Sequence, residues 1–200
     1  MVGQPLNFSG YGHWLPNDPR GSSSHEVRNP AIAELGELHH GRKRVQPSRL
    51  ELRAFHLDAA EVLEHPVLWF DEQDVAVLAD CFRETIRRHN YTCWGCALMP
   101  NHVHLLIRMH RDNGDAMMKA FQDESREALQ RSNPRWADHP VWGGPGWKAY
   151  LFSADDARRI ERYIGKNVAE SPWPAQAWDF VQPYNGWLPG NMRTPKRPQP

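Results

Sequence analysis

The sequence predicts an α+β protein, a ferredoxin-like βαββαβ sandwich whose antiparallel sheet is covered by helices on one face. Three observations predict it. Residues 91–99 and 102–109 are two strand-like runs separated only by the tight turn Pro100-Asn101, the signature of a hairpin. Residues 71–89 and 116–130 carry apolar side chains at spacings of three and four, the signature of helices with one buried face. The elements follow one another as strand, helix, strand, strand, helix, strand, with a long segment inserted after the first strand.

Taken in order, residues 8–15 read as a short first strand interrupted by Gly10 and Gly12, and the turn-rich Pro16-Asn-Asp-Pro-Arg-Gly21 ends it. The insert, about 16–70, opens with a polar loop at 22–47 that has no period. It continues with a helix over 50–63, closed by Pro66, and a brief strand at 67–70. Asp71 is placed to cap the next helix, with Asp74 three residues on and Val75, Leu78, Ala79, Phe82 and Ile86 on its apolar face. After the hairpin, Asn113-Gly114 breaks the chain, and Met117, Ala120, Phe121 and Leu129 line a second helix that Ser132-Asn-Pro134 stops. An aromatic, partly extended stretch at 141–152 is interrupted by Gly143-Gly-Pro-Gly146. Ser153 then caps a third helix over 154–168, whose first turn holds Asp155 and Asp156. A single domain over 1–185 and a Pro-rich, disordered tail over 186–200 complete the expectation.

Composition narrows the function. No apolar run approaches the ~18–20 residues needed to span a bilayer, and residues 1–6 lack the features of a signal peptide, so no membrane partner and a cytoplasmic location are expected. Three cysteines argue against a disulfide framework, and Cys93-Trp-Gly-Cys96, inside a strand, reads as buried reduced thiols. The formal charge is zero, whereas proteins that grip long duplexes are usually basic, so any nucleic-acid contact is local. Basic clusters exist at Arg42-Lys-Arg44 with Arg49 and Arg53, and at Arg158, Arg159, Arg162 and Lys166; each is also readable as a solvated face. Six of the nine tryptophans fall after residue 135, where they serve either as core or as stacking platforms for bases.

The chemistry concentrates in Leu98-Met-Pro-Asn-His-Val-His-Leu-Leu-Ile107. Residues two apart on a strand share a face, so His102 and His104 point the same way on an otherwise apolar strand. They are either two satisfied, partly buried histidines or half of a metal site. On the third helix Tyr163 and Asn167 are four apart and share a face, with Arg159 and Lys166 on or near it. A tyrosine beside cations suits attack on a phosphate, and an Asn oxygen suits a metal. The alternative is a buried, hydrogen-bonded tyrosine with Asn167 as a C-cap.

The block Met99-Pro-Asn-His-Val-His104, followed by Tyr163-Ile-Gly-Lys-Asn167, resembles the single-tyrosine HUH transposases, in particular the REP-associated tyrosine transposases. Gly12-His-Trp-Leu-Pro-Asn-Asp-Pro-Arg-Gly21 is similar to one subgroup of them, and the resemblance covers roughly 8–170. It implies that His102, His104 and Asn167 hold a divalent metal, Mg²⁺ or Mn²⁺, and that Tyr163 is the nucleophile. It also implies a homodimer acting on single-stranded, hairpin-forming DNA by cleavage and strand transfer through a 5′-phosphotyrosine link. Arg159, Arg162 and Lys166 are candidate DNA contacts. The sequence departs from the family's common continuation after the tyrosine turn, with Val168-Ala-Glu-Ser171 following Asn167. Two other readings predict different behaviour: a catalytically silent, transposase-derived hairpin-binding regulator, and a zinc hydrolase whose nucleophile is metal-bound water.

Overall fold

The computed structural model describes residues 1–27, 29–144, 146–173 and 176–190. Four strands, β1 (Gly3–Ser9), β2 (Cys93–Leu98), β3 (His102–Arg108) and β4 (Trp147–Lys148), form an antiparallel sheet in the order β2-β3-β1-β4. That order, with a helical crossover between β1 and β2 and another between β3 and β4, is the ferredoxin-like path. The helices are α1 (Pro30–Ala33), α2 (Arg49–Val62), α3 (Glu72–His89), α4 (Gly114–Ser132) and α5 (Ala154–Ala169).

Pleating sorts the strands into two faces. Leu6 and Phe8 of β1 lie opposite Leu105 and Val103 of β3 and bury one face beneath α3 and α4. The α3 helix follows from a reciprocal cap: Asp71 accepts from the Asp74 amide, and Asp74 accepts from that of Asp71. Asp74 is buried because it also receives Arg135 and the Trp136 indole, which ties the start of α3 to a 3-10 turn at Pro134–Trp136. The other face carries His102, His104 and Leu106, paired with Ser9, Asn7 and Pro5. The last helix, α5, covers this second face through Ile164 and Ala157, which pack with Trp94, Ala97 and Leu106.

Several expectations are corrected. The first strand lies at Gly3–Ser9 rather than at 8–15; Gly10 and Tyr11 already leave the sheet, bonded to Asn101 and Val141. Residues 67–70 are extended but form no strand: Leu68 and Phe70 bond single carbonyls of Tyr11 and Pro100 instead of a ladder. The insert therefore runs from the end of β1 to Asp71. Its loop contains α1, and Leu15, Phe55 and Ala59 give it a small core of its own. Asn113 and Gly114 begin α4 rather than merely breaking the chain, Asn113 capping the Ala116 amide. Of the tail expected at 186–200, Trp187 and Leu188 pack against the α5 face. Residues 191–200 lie outside the described residues.

Candidate active site

The hairpin and the sheet register build the site. The Pro100-Asn101 turn closes β2 onto β3, with the Met99 amide bonded to the His102 carbonyl, and sets His102 at the strand's first position. Because β3 is central, its histidines are rigidly held, and His104 is 7% exposed. Their Nε2 atoms converge to 3.0 Å. His102 Nδ1 lies 2.7 Å from Asn101 Oδ1, a side-chain oxygen that only accepts, so the proton sits on Nδ1 and the Nε2 lone pair faces the neighbouring ring. Burial holds both imidazoles neutral: it lowers His102 to about 4, assisted by the nearby His13, and His104 to about 3, assisted by His102.

This donor pair fits a divalent ion. Two ligands at right angles, each about 2.1 Å from a metal, are about 3.0 Å apart. The Asn101 bond is the outer hydrogen bond that orients metal-binding histidines. Among the described residues no cluster of three His, Cys, Asp or Glu side chains lies here.

Tyr163 comes to the pair from α5. A Cβ on Gly95 of β2 would sit 3.2 Å from Ile164, so the glycine lets the helix lie close against the sheet at the residue next to the tyrosine. The Tyr163 ring stands edge-on to His104 with centroids 5.2 Å apart, in the same chain. It is 51% exposed, and among the described residues its hydroxyl has no hydrogen-bond partner. The buried-tyrosine alternative is thereby excluded. Asn167 is not joined to either imidazole: its amide donates to the Tyr163 carbonyl, 2.8 Å away and one turn back. Nor does it cap α5, whose C-cap is Glu170. Arg159 pairs with Asp156 and Lys166 with Glu170, while Arg162 makes no ion pair among the described residues. Exposed pairs of this kind contribute little to stability.

Two residues escaped the sequence reading. Asn101 reads as a turn residue, and its only signal as an orienting group is its place directly before His102. His13, in the insert, is buried, bonds the Leu68 carbonyl at 2.8 Å and contributes to the field at His102. The thiols of Cys93 and Cys96 are buried, as expected, and burial pushes both upward, Cys93 to about 12.

The sheet order, the paired imidazoles on its central strand and the tyrosine helix above them lie on the segment that carries the motif described above. The family model described as "Transposase IS200 like" matches residues 64–167, just over half of the chain, and the chain belongs to that family. Among solved structures, it is similar to a REP-associated tyrosine transposase bound to a REP hairpin. That match has 16% identity and a TM-score of 0.40, over 52% of this chain and 59% of that one. It is also similar to a Deinococcus radiodurans R1 protein described as a transposase, with 12% identity and a TM-score of 0.39, over 84% and 92% of the two chains. The chain thus spans about 59% of the length of the first of these. No curated protein matches it.

Proposed function

We propose that this protein cleaves single-stranded DNA and transfers the strand through a tyrosine-phosphate link, the chemistry of DNA transposition. One observation carries the reading: the converging Nε2 atoms and the exposed, unbonded Tyr163 hydroxyl belong to one sheet face of one chain. Tyr163 oxygen attacks phosphorus and loses its proton to solvent. The phosphorus–oxygen bond to the 3′ oxygen breaks, and that oxygen takes a proton and leaves as a hydroxyl. A 5′-phosphotyrosine remains. A 3′-hydroxyl of another strand reverses the step, so no external energy source is consumed.

His102 and His104 would hold the divalent ion, Mg²⁺ or Mn²⁺, with Asn167 as the third donor after its amide leaves the Tyr163 carbonyl. When bound, the ion neutralises charge on the scissile phosphate and helps orient it. Asn101 keeps His102 Nε2 free for that role. Arg159, Arg162 and Lys166 line the exposed side of α5 beside Tyr163, where they bind the flanking phosphates. A hairpin-forming single strand is the substrate that reconciles zero net charge with DNA binding, because a short folded element needs few phosphate contacts. The Tyr163 ring stands beside His104 of its own chain, which supports a site completed within each subunit of the homodimer that the resemblance implies. No helix among the described residues is long and apolar enough to cross a membrane.

The test is incubation with hairpin-forming single-stranded DNA and Mg²⁺ or Mn²⁺, followed by denaturing electrophoresis. A denaturation-resistant protein–DNA adduct is expected, and it disappears in Tyr163→Phe. Hairpin binding with no adduct, across varied hairpins, overturns the reading in favour of a silent regulator. Cleavage that survives Tyr163→Phe overturns it in favour of a metal-dependent hydrolase.

A further inference from the structure

Beside the histidine pair, where β1 leaves the sheet, lies a cleft of about 500 Å³ between the insert and the segment leading into β4. The sheet register connects it to the site. Asn7 lies opposite His104 on one side and opposite Trp147 on the other, and Ser9 lies opposite His102. Directly opposed residues share a face, so Trp147, Asn7 and His104 form one lane leading from the cleft to the histidines.

The cleft is built for a ligand with an aromatic part and a negative part. Only three of the nine tryptophans are largely exposed: Trp14 at 44%, Trp147 at 48% and Trp69 at 56%. Trp14 and Trp147 line the cleft, and Trp69 stands edge-on to His13, which also lines it. Trp14 is held at φ +53°, a left-handed conformation that a bulky side chain adopts only when the surroundings impose it. The imposition is visible. Arg20 lies over the Trp14 ring at 3.7 Å and is itself anchored by the fully buried Asp18 through two hydrogen bonds. The next residue, Gly21, has φ +94°, and a Cβ there would fall 1.9 Å from the Gly41 carbonyl oxygen. Bonds between Ser22 and residues 39 and 41 close this junction.

The polar lining is basic or neutral. Arg20, Arg42, His40 and a run of serines at 22–24 face the cleft, and no Asp or Glu among the described residues does. Asn7, which lines the cleft, has a buried Oδ1 without a hydrogen-bond partner among the described residues, an unmet acceptor in a site otherwise rich in donors. Unpartnered buried acceptors of this kind await a donor, and the exocyclic amine of a base supplies one.

We propose that this cleft binds an unpaired nucleotide of the same DNA strand whose phosphate lies at His102 and His104. Its base stacks on Trp147 or on the free face of Trp14, and its phosphate faces Arg42 and the serines. The proposal rests on the reading of the site as one for single-stranded DNA, and it makes the cleft a specificity determinant for the nucleotide flanking the cut. Trp14, Arg20, His40 and Arg42 precede residues 64–167 and so lie outside the segment shared with the family model.

The test uses the full chain and a short unstructured oligonucleotide, followed by fluorescence anisotropy and by quenching of tryptophan emission. Trp14→Ala with Trp147→Ala is expected to weaken binding by about fivefold to a hundredfold, the range of lost base stacking. Trp147→Ala alone, which breaks no ring contact among the described residues, is expected to weaken binding with the melting temperature unchanged. Trp147→Phe is expected to restore most of the affinity relative to Trp147→Ala. Wild-type affinity in the double variant overturns the proposal. So does displacement of the oligonucleotide by inorganic phosphate as effectively as by a deoxynucleoside monophosphate, which would make the cleft a simple anion site. The adduct assay is independent. If no adduct forms but the tryptophan variants still lose the oligonucleotide, strand transfer falls and this site stands.

Discussion

At the scale of single residues, the chemistry of the site follows from putting two imidazoles where water is scarce. His102 and His104 are held at about 4 and about 3, below the ~6.5 of a free imidazole, chiefly by burial. The unfolded chain therefore takes up more protons than the folded one between about pH 6.5 and pH 4. The stability that depends on keeping the pair neutral is present above about 6.5 and is lost as pH falls toward the folded values. The midpoint of urea denaturation is expected to fall steadily from pH 7 to pH 4. In His102→Gln/His104→Gln the fall should be shallower but not absent, because burial also lowers His13 and His56. An unchanged slope in that variant would refute the argument. The shared face of the pair was legible in the sequence because the strand period fixes it, whereas Tyr163 was singled out through the motif resemblance, helix spacing leaving it equally readable as a buried tyrosine. Asn101 was not, since its role depends on a rotamer that aims its oxygen at a ring.

At the scale of elements, Gly95 sets how far Tyr163 stands from His104. The helix rests on the sheet at Ile164, where an added Cβ would meet a contact of 3.2 Å and a branched side chain far more. Gly95→Val is expected to lift α5 and destabilise the fold by roughly 1–3 kcal/mol, the usual cost of overpacking. It should cut adduct formation at least tenfold while Mn²⁺ binding at the histidines persists, as measured by titration calorimetry. Equal activity and equal stability would show that α5 is not seated by this contact. The same scale explains which elements the sequence revealed. The hairpin, α3, α4 and α5 carry full periods, with caps readable at Asp71 and Ser153, so they emerge within a residue or two, although the cap at Asn113 reads only as a break. β1 does not, because Gly3 and Pro5 argue against a strand while residues 8–15 look more like one. Pro5 is tolerated because its carbonyl, not an amide, serves the β4 side, where Ala149 donates to it, and the β1–β4 ladder spans only Leu6 and Asn7.

At the scale of the whole molecule, the segment after α5 acts as a strap over the open edge of the sheet. The Gln176 side chain mimics a strand by accepting from the Leu98 amide at 2.9 Å and donating to the Leu98 carbonyl at 2.7 Å. Further along, the Gln182 amide donates to the Cys93 carbonyl. Tyr184 and Trp187 then cover Trp94, and Arg108 lies over Trp187 at 4.0 Å. The tryptophan-rich end is thus mainly packing, the reading that composition favoured for most of these rings. What the sequence could not show is that the packing falls on β2, since a segment without a period carries no record of its partner. An uncovered edge strand is a template for pairing with another chain. Gln176→Ala removes three hydrogen bonds, two to the Leu98 backbone and one to the Ser171 hydroxyl, and is expected to cost about 1–3 kcal/mol, lowering the melting temperature by several degrees. Deleting everything after residue 171 should go further. It bares the β2 edge and Trp94 together, and light scattering should then show concentration-dependent self-association beyond that of the full chain. A truncated protein with the same mass distribution and melting temperature as the full chain would show that β2 needs no cover.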